Sequence, residues 1–224
     1  MNIRHLARQI DISCVQAFHS QRDVETLAER AIEGRFVSAH VLPQWMPTLR
    51  GLLDGTGVLA GGPAGFPSGG SLPGTKLYEV QGLLDVGAQE IDVVVNIGLV
   101  RSGRFADVSR ELEPIVDAVG GAVPLRGIIE VGYLDDEQIR NAACAVADAG
   151  IGWVKSATGW SGRPTETRHI ELMAQGAGGR AKLKAAGGIR TLRTVEEMIA
   201  LGVSRFGMNA DVAIALTREA RDRF

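Results

Sequence analysis

This sequence of 224 residues predicts an α/β fold, a single (β/α)8 barrel of the TIM-barrel type spanning residues 1–224. Three observations lead there. Short apolar runs alternate with longer amphipathic ones along the whole chain, the pattern of parallel strands joined by helices. Eight such pairs occur, and eight units in this length suit a compact barrel, whose usual size is about 250 residues. No Gly-x-Gly-x-x-Gly turn follows the first or second run, which argues against a doubly wound sheet binding a nucleotide there.

The elements follow in order. The first run, 6–12, carries Asp11 near its end. Residues 23–33 have a helical apolar period, with Asp23 as the expected cap and Gly34 as the stop. Run 36–42 is a strand broken by Pro43, which has no N–H to give a ladder. A short helix over 46–53 comes next, then a strand over 57–61 leading into the loop 66–70. A helix over 75–86 ends at Gly87. The second half repeats the rhythm: strand 90–96, helix 105–119, strand 124–130, then a helix over 135–149 capped by Asp135 and closed by Gly150. Strand 151–155 precedes a helix from about 165 to 175, and strand 181–186 runs into the turn 187–190. Helix 194–201, strand 204–207 and a helix from Asp211 into a basic tail complete the eight units. Trp153 is expected in the core, Trp160 at the mouth, and the stretch 217–224 on a solvated helix face.

Composition narrows the function classes. A formal net charge of −2 leaves no electrostatic footprint for nucleic acid or an anionic membrane. Cys14 and Cys144 form no Cys-x-x-Cys and no Cys/His cluster, so neither a disulfide framework nor a structural zinc site is expected. The first residues lack the apolar core of a signal peptide, and no window reaches the length of a spanning helix. A cytoplasmic protein with a small-molecule substrate is the expectation.

The chemistry centres on Lys155, which ends an apolar run and is followed at once by small, turn-forming residues. Alone it reads as a strand-end lysine reaching for solvent. Lys184 ends a similar run about thirty residues later, and Asp92 interrupts the apolar stretch 91–95. In a barrel these residues gather at the C-terminal strand ends with Asp11, Asn96, Arg126 and Glu130. Two lysines turned into one pocket repel each other's charge, which favours a free amine able to attack a carbonyl. Asp92 is placed to move protons between the intermediates. The plain alternatives are a buried salt bridge for Asp92 and a structural or phosphate-binding lysine for Lys184. Gly187 and Gly188, followed by Arg190, read as an anion-binding turn at a helix N-terminus, with Gly207 after the last strand as its partner. His5, His19, His40 and His169 are scattered; only His40 falls at a strand end facing the site, and a neutral packed histidine is the plainer reading.

Phe66-Pro67-Ser68-Gly69, Lys76 with Glu79, the run from Gly87 to Asp92, Ile128-Ile129-Glu130, the run from Val154 to Gly159, the run from Lys184 to Arg190, and Arg205-Phe206-Gly207 follow in that order. Over nearly its whole length the chain resembles the deoxyribose-phosphate aldolase family. The resemblance implies a (β/α)8 class I aldolase that uses a lysine Schiff base and needs no metal or cofactor. Such an enzyme cleaves 2-deoxyribose 5-phosphate reversibly to acetaldehyde and glyceraldehyde 3-phosphate. It implies Lys155 as the imine-forming residue, Lys184 as its companion and Asp92 as the proton shuttle. Asp11 and Ser13 match an Asp-x-Thr pair near the substrate hydroxyls. Thr158 and Arg126, the latter standing for the usual strand-five lysine, are the other substrate-binding positions. Gly159, Gly187, Gly188, Arg190, Gly207 and Asn209 fall where the family binds phosphate. Relatives commonly form dimers or larger assemblies, which makes a homo-oligomer the expectation.

Several residues depart from the family pattern. Ser156 and Ala157 replace the usual Thr-Ser after the lysine, Trp160 follows the glycine, and His40 stands where a cysteine is common. Met208, Asn209 and Ala210 replace serines that would meet the phosphate. Each missing hydroxyl donor, if not replaced, costs roughly 1–3 kcal/mol. An alternative is therefore a related aldolase or lyase whose acceptor lacks phosphate or is larger. A non-catalytic sugar-phosphate-binding barrel is a third reading, opposed by the retention of Lys155, Lys184 and Asp92 together. A metal-dependent aldolase is disfavoured because no histidine ligand cluster is present.

Overall fold

The computed structural model describes residues 3–223, with side chains from Leu6 onward. Phe224 and the side chain of His5 lie outside the described residues. Eight parallel strands close into a barrel in chain order. They are β1 (Ile10–Cys14), β2 (Ser38–Val41), β3 (Leu59–Ala64), β4 (Glu90–Val94), β5 (Leu125–Ile128), β6 (Trp153–Lys155), β7 (Lys182–Ala186) and β8 (Val203–Met208). The ring is sealed where β1 pairs with β8, Asp11 opposite Gly207. Around it run α1 (Gln21–Glu33), α2 (Met46–Leu53), α3 (Pro73–Asp85), α4 (Ile97–Arg101), α5 (Phe105–Val119), α6 (Asp136–Asp148), α7 (Thr167–Ala177), α8 (Leu192–Ala200) and α9 (Ala210–Arg223).

Strand pleat divides the buried residues into two sets. Ile10, Ile12, Ala39, Ile91, Val93 and Val154 belong to the apolar core beneath the helices. The alternate residues Asp11, Ser38, His40, Glu90, Asp92, Arg126 and Lys184 are buried inside the barrel. Many barrels fill this space with branched aliphatics; here ion pairs and hydrogen bonds fill it. That is why β4 looks like an apolar strand interrupted by carboxylates.

Four points of the sequence reading need correction. Ser20, not Asp23, is the N-cap of α1; Asp23 sits at the third helical position and completes a reciprocal capping box. β3 begins later and runs on through Gly61, Gly62 and Pro63. A Cβ at Gly61 would strike the His40 ring, and one at Gly62 would come within 2.7 Å of Leu83, so the glycines mark close packing rather than a loop. α4 was not predicted; it is one short turn after β4, capped by the Asn96 side chain accepting from Leu99 N–H. Trp153 is half-buried rather than core, lying between the Arg126 guanidinium (5.5 Å) and the Lys182 ammonium (5.3 Å) at the N-terminal end of the barrel.

One buried pair outside the barrel braces the end of β4. Lys76 on α3 donates to Glu111 on α5 (2.8 Å) and to the Val94 carbonyl (3.0 Å), and Glu111 accepts from Asn96 N–H. Burial pushes the Lys76 ammonium below its usual range despite the pull of Glu111. Glu111→Gln would leave that cation without its counter-charge, a loss of about 3–5 kcal/mol. Thermal melting of the purified variant is expected to show a clearly lowered Tm.

Candidate active site

A cavity of about 370 Å³ opens at the C-terminal ends of the strands, the side on which barrel enzymes carry out chemistry. Its floor holds the residues singled out in the sequence. Lys155 Nζ lies 2.7 Å from Asp92 Oδ2, and Lys184 Nζ lies 3.3 Å from the same oxygen. The strand register explains this meeting: Lys155 is opposite Lys184 across β6 and β7, so both side chains rise on one face. Lys184 also pairs with Asp11 at 2.9 Å and has no exposed surface. Only Lys155 of the two lines the cavity. The sequence expectation that both lysines open onto the pocket is thus refined: one faces it and one lies beneath.

Electrostatics favour a missing proton on Lys184. Four cations, Lys155, Lys184, Arg126 and Arg205, face three carboxylates, Asp11, Glu90 and Asp92, in the buried cluster. Burial would raise the Asp92 pKa, yet Lys155, Lys184, His40 and Arg126 together hold it well below the usual carboxylate range. Asp11 is likewise lowered: burial is outweighed by Lys184, His40 and Arg205. Burial, reinforced by Lys155 and Arg126, pushes Lys184 down to about 8 against the pull of Asp11 and Asp92. The two amines share one carboxylate oxygen, Asp92 Oδ2.

The Lys184 shift has a measurable consequence. Between about pH 8 and the ordinary lysine value of 10.5, the unfolded chain binds the proton that the folded one has released. Stability from this group therefore rises with pH over that window. Relative to Lys184→Met, the parent is expected to gain about 3 kcal/mol as pH is raised through it. Denaturant melts of both proteins at pH 8 and 10 check the sign.

The rest of the cluster holds Asp92 from behind. Arg126 reaches Asp92 Oδ1 (3.4 Å) and Glu90 Oε1 (2.6 Å). It is fully buried and does not line the cavity, so its place is under the carboxylates, away from the position expected for a substrate contact. Glu90 Oε2 gathers Ser38 Oγ (2.7 Å), Arg205 (2.9 Å) and His40 Nε2 (3.2 Å). Glu90, Ser38 and Arg205 were missed in the sequence. Glu90 and Arg205 fell within motifs of the family resemblance without being given a site role, and each of the three lies two residues from a recognised strand position, on the same face.

The loops above are fastened by their own side chains. Glu130 takes a left-handed backbone (φ 54°) after β5, and its carboxylate accepts from Thr158 N–H and from the Thr158 hydroxyl. Thr158 also accepts from Trp160 N–H, so its hydroxyl is engaged by the protein although the residue lines the cavity. Ser156 Oγ links β6 to β7 by donating to the Ala186 carbonyl and accepting from its N–H. Trp160 packs edge-on against Phe66 (5.9 Å) and donates to the Val15 carbonyl, strapping three rim loops together.

Asp11, Ser13, Gly159, Gly187, Gly188, Arg190, Gly207 and Asn209 all line the cavity. Gly187 and Gly188 both have positive φ, and a Cβ at Gly188 would come within 2.6 Å of Pro164. Their N–H groups lead into α8, where an anion is favoured. A Cβ at Gly207 would sit 3.2 Å from Asp11 Oδ2 and 3.6 Å from the Lys184 side chain, so this glycine also makes room for the charged cluster. Asn209 Oδ1 accepts from Val212 N–H, which leaves its amide N–H groups for a ligand.

These features coincide with known proteins. No protein-family model matches the chain. A deoxyribose-phosphate aldolase from Sinorhizobium medicae is 45% identical over 217 residues, covering 96% of this chain and 87% of the relative. The chain belongs to the deoxyribose-phosphate aldolase family. One from Klebsiella pneumoniae is 44% identical over 206 residues, 91% of this chain and 82% of the relative. Among solved structures, the deoxyribose phosphate aldolase from Aeropyrum pernix, described as a unique tetrameric structure, superposes with a TM-score of 0.87 at 26% identity, covering 99% and 93% of the two chains. An aldolase called QR15 superposes at 0.89 with 27% identity, covering 98% and 97%. Members of the deoxyribose-phosphate aldolase family are carbon–carbon lyases, and the barrel described above is theirs.

Proposed function

We propose that this chain is a class I aldolase that reversibly cleaves 2-deoxy-D-ribose 5-phosphate to acetaldehyde and D-glyceraldehyde 3-phosphate through an imine on Lys155. The carrying observation is the Lys155 amine, open to the cavity and bonded at 2.7 Å to the buried Asp92 carboxylate, with Lys184 behind it. Neutral Lys155 attacks the substrate aldehyde, and loss of water gives the iminium. The C3 hydroxyl loses its proton, the C2–C3 bond breaks, and its electron pair forms the enamine. Protonation of that carbon and hydrolysis release acetaldehyde. Asp92 is ionised and touches the reacting nitrogen, which suits it to relay protons in the carbinolamine steps. Asp11 and Ser13 meet the sugar hydroxyls; Arg190, the Gly187–Gly188 turn, Gly159, Gly207 and the Asn209 amide receive the phosphate. The homologues carry the name of the phosphorylated substrate, and no observation favours a different acceptor.

The deciding experiment is borohydride reduction with acetaldehyde followed by peptide mass mapping. An ethyl adduct on Lys155 supports the reading, and a folded sample with no adduct on any lysine overturns it. Arg190→Ala is expected to raise KM for 2-deoxyribose 5-phosphate by roughly 10- to 100-fold, the range for one charge-assisted hydrogen bond, while turnover of unphosphorylated 2-deoxyribose is unchanged. Steady-state kinetics on both sugars test this. The chain works as one domain and is proposed to assemble as a homo-oligomer, supported by the tetramer named for the Aeropyrum relative. A cytoplasmic location fits a sugar-phosphate substrate.

A further inference from the structure

His40 is a cavity-lining imidazole that the steps above do not use. Three observations set its state and its aim. Glu90 Oε2 accepts from Ser38 and Arg205, and the same oxygen lies 3.2 Å from His40 Nε2. An ionised carboxylate only accepts, so Nε2 is the donor to Glu90, and in the neutral imidazole Nδ1 is then the basic nitrogen. Nδ1 lies 3.7 Å from Asp92 Oδ2, the oxygen that bonds Lys155 Nζ. The ring lies flat against Gly61, where any side chain would collide with it. A single carboxylate oxygen therefore separates a basic nitrogen from the atom on which the imine forms.

We propose that His40, oriented by Glu90, is the proton acceptor and donor for the carbon next to the imine. The inference rests on the aldolase reading of Lys155. In the iminium of acetaldehyde on Lys155, Nδ1 takes a proton from the methyl carbon. The C–H electron pair becomes the C=C bond, and the C=N π pair moves onto nitrogen, giving the neutral enamine. The imidazolium so formed has an N–H toward each of Glu90 and Asp92. In the cleavage direction the same proton passes from Nδ1 to the enamine carbon. The ring is surrounded by Glu90 and Asp92 on β4, Asp11 on β1 and Arg205 on β8, with Arg126, Lys155 and Lys184 across the barrel.

The test separates imine formation from proton transfer. Acetaldehyde is incubated with the protein in D2O while methyl-proton exchange is followed by NMR, and the imine is trapped in parallel with borohydride. His40→Gln keeps a donor for Glu90 and removes the basic nitrogen. Trapping on Lys155 is expected to persist, while exchange falls roughly 100-fold, the lower end of general-base effects. His40→Ala is expected to regain exchange when free imidazole is added, which a purely structural role would not produce. Undiminished exchange in His40→Gln overturns the proposal, as does loss of trapping together with exchange and no rescue of His40→Ala. If the parent protein itself traps no acetaldehyde, the aldolase reading fails first and the proposal falls with it.

Discussion

Lys155→Ala abolishes both the borohydride-trapped adduct and the cleavage of 2-deoxyribose 5-phosphate. Loss of a covalent nucleophile in other enzymes lowers kcat by on the order of 10⁵–10⁶, and a fall of that size is expected here. Among the described residues, no second lysine lines the cavity. Lys184 is fully buried, bonded to Asp11 and Asp92, and does not line the cavity. Lys76 is sealed behind β4 against Glu111. The fold should tolerate the change, because Lys155 is a partly exposed member of the cluster and its removal brings the remaining charges into balance. A coupled assay for the aldehyde product, with a melting curve to show that the variant is folded, measures the effect. Retention of more than a few per cent of parental activity would mean that another group forms the covalent bond.

Asp92→Asn is expected to reduce kcat by roughly 10²- to 10⁴-fold, the usual contribution of a positioned acid or base. Trapping of acetaldehyde slows as well, because proton relay between carbinolamine and imine is lost. The same change acts on stability. Asp92 pairs with Lys155, Lys184 and Arg126, and removing one partner of a buried ion pair costs about 3–5 kcal/mol. Release of the Lys184 proton recovers part of that loss, since this amine is already pushed down to about 8. Because the Asp92 carboxyl is held below its ordinary value of 3.8, its contribution is present above that pH and disappears as pH falls through the folded value. The stability advantage of the parent over Asp92→Asn therefore narrows as pH drops from about 5 toward 2. Urea melts at pH 7 and pH 3 read the narrowing; a gap independent of pH would place the stabilising charge elsewhere.

Local chemistry made much of the site readable in advance. Lys155, Lys184 and Asp92 each break an apolar strand with a charge, and a charge buried in a strand demands partners. The Gly187–Gly188 turn before Arg190 has a composition suited to an anion. Asp135 announces the start of α6 with Gln138 completing the box. Other residues carried no such mark. Ser20 and Asp23 are both good capping residues, and choosing between them depends on where α1 docks. The continuation of β3 past Gly61 carries no local mark, because the packing at Gly61 and Gly62 comes from His40, Met46 and Leu83, distant in the chain. Thr158 presents a hydroxyl suited to a ligand, yet Glu130 claims it from the segment after β5.

The sequence by itself determined the eight-unit alternation, the face of each strand that carries charge, and the lysine–lysine–carboxylate chemistry. These follow from periodicities of two and about 3.6 residues, which are local properties of the backbone. Only the tertiary structure decided that Lys184 lies beneath Lys155, that Arg126 supports the carboxylates from below, and that Glu90 orients His40 toward Asp92. Those outcomes depend on closing the barrel and on the stagger between neighbouring strands. Burial, pairing and pKa belong to that assembled arrangement, because each is set by residues fifty or more positions away in the chain.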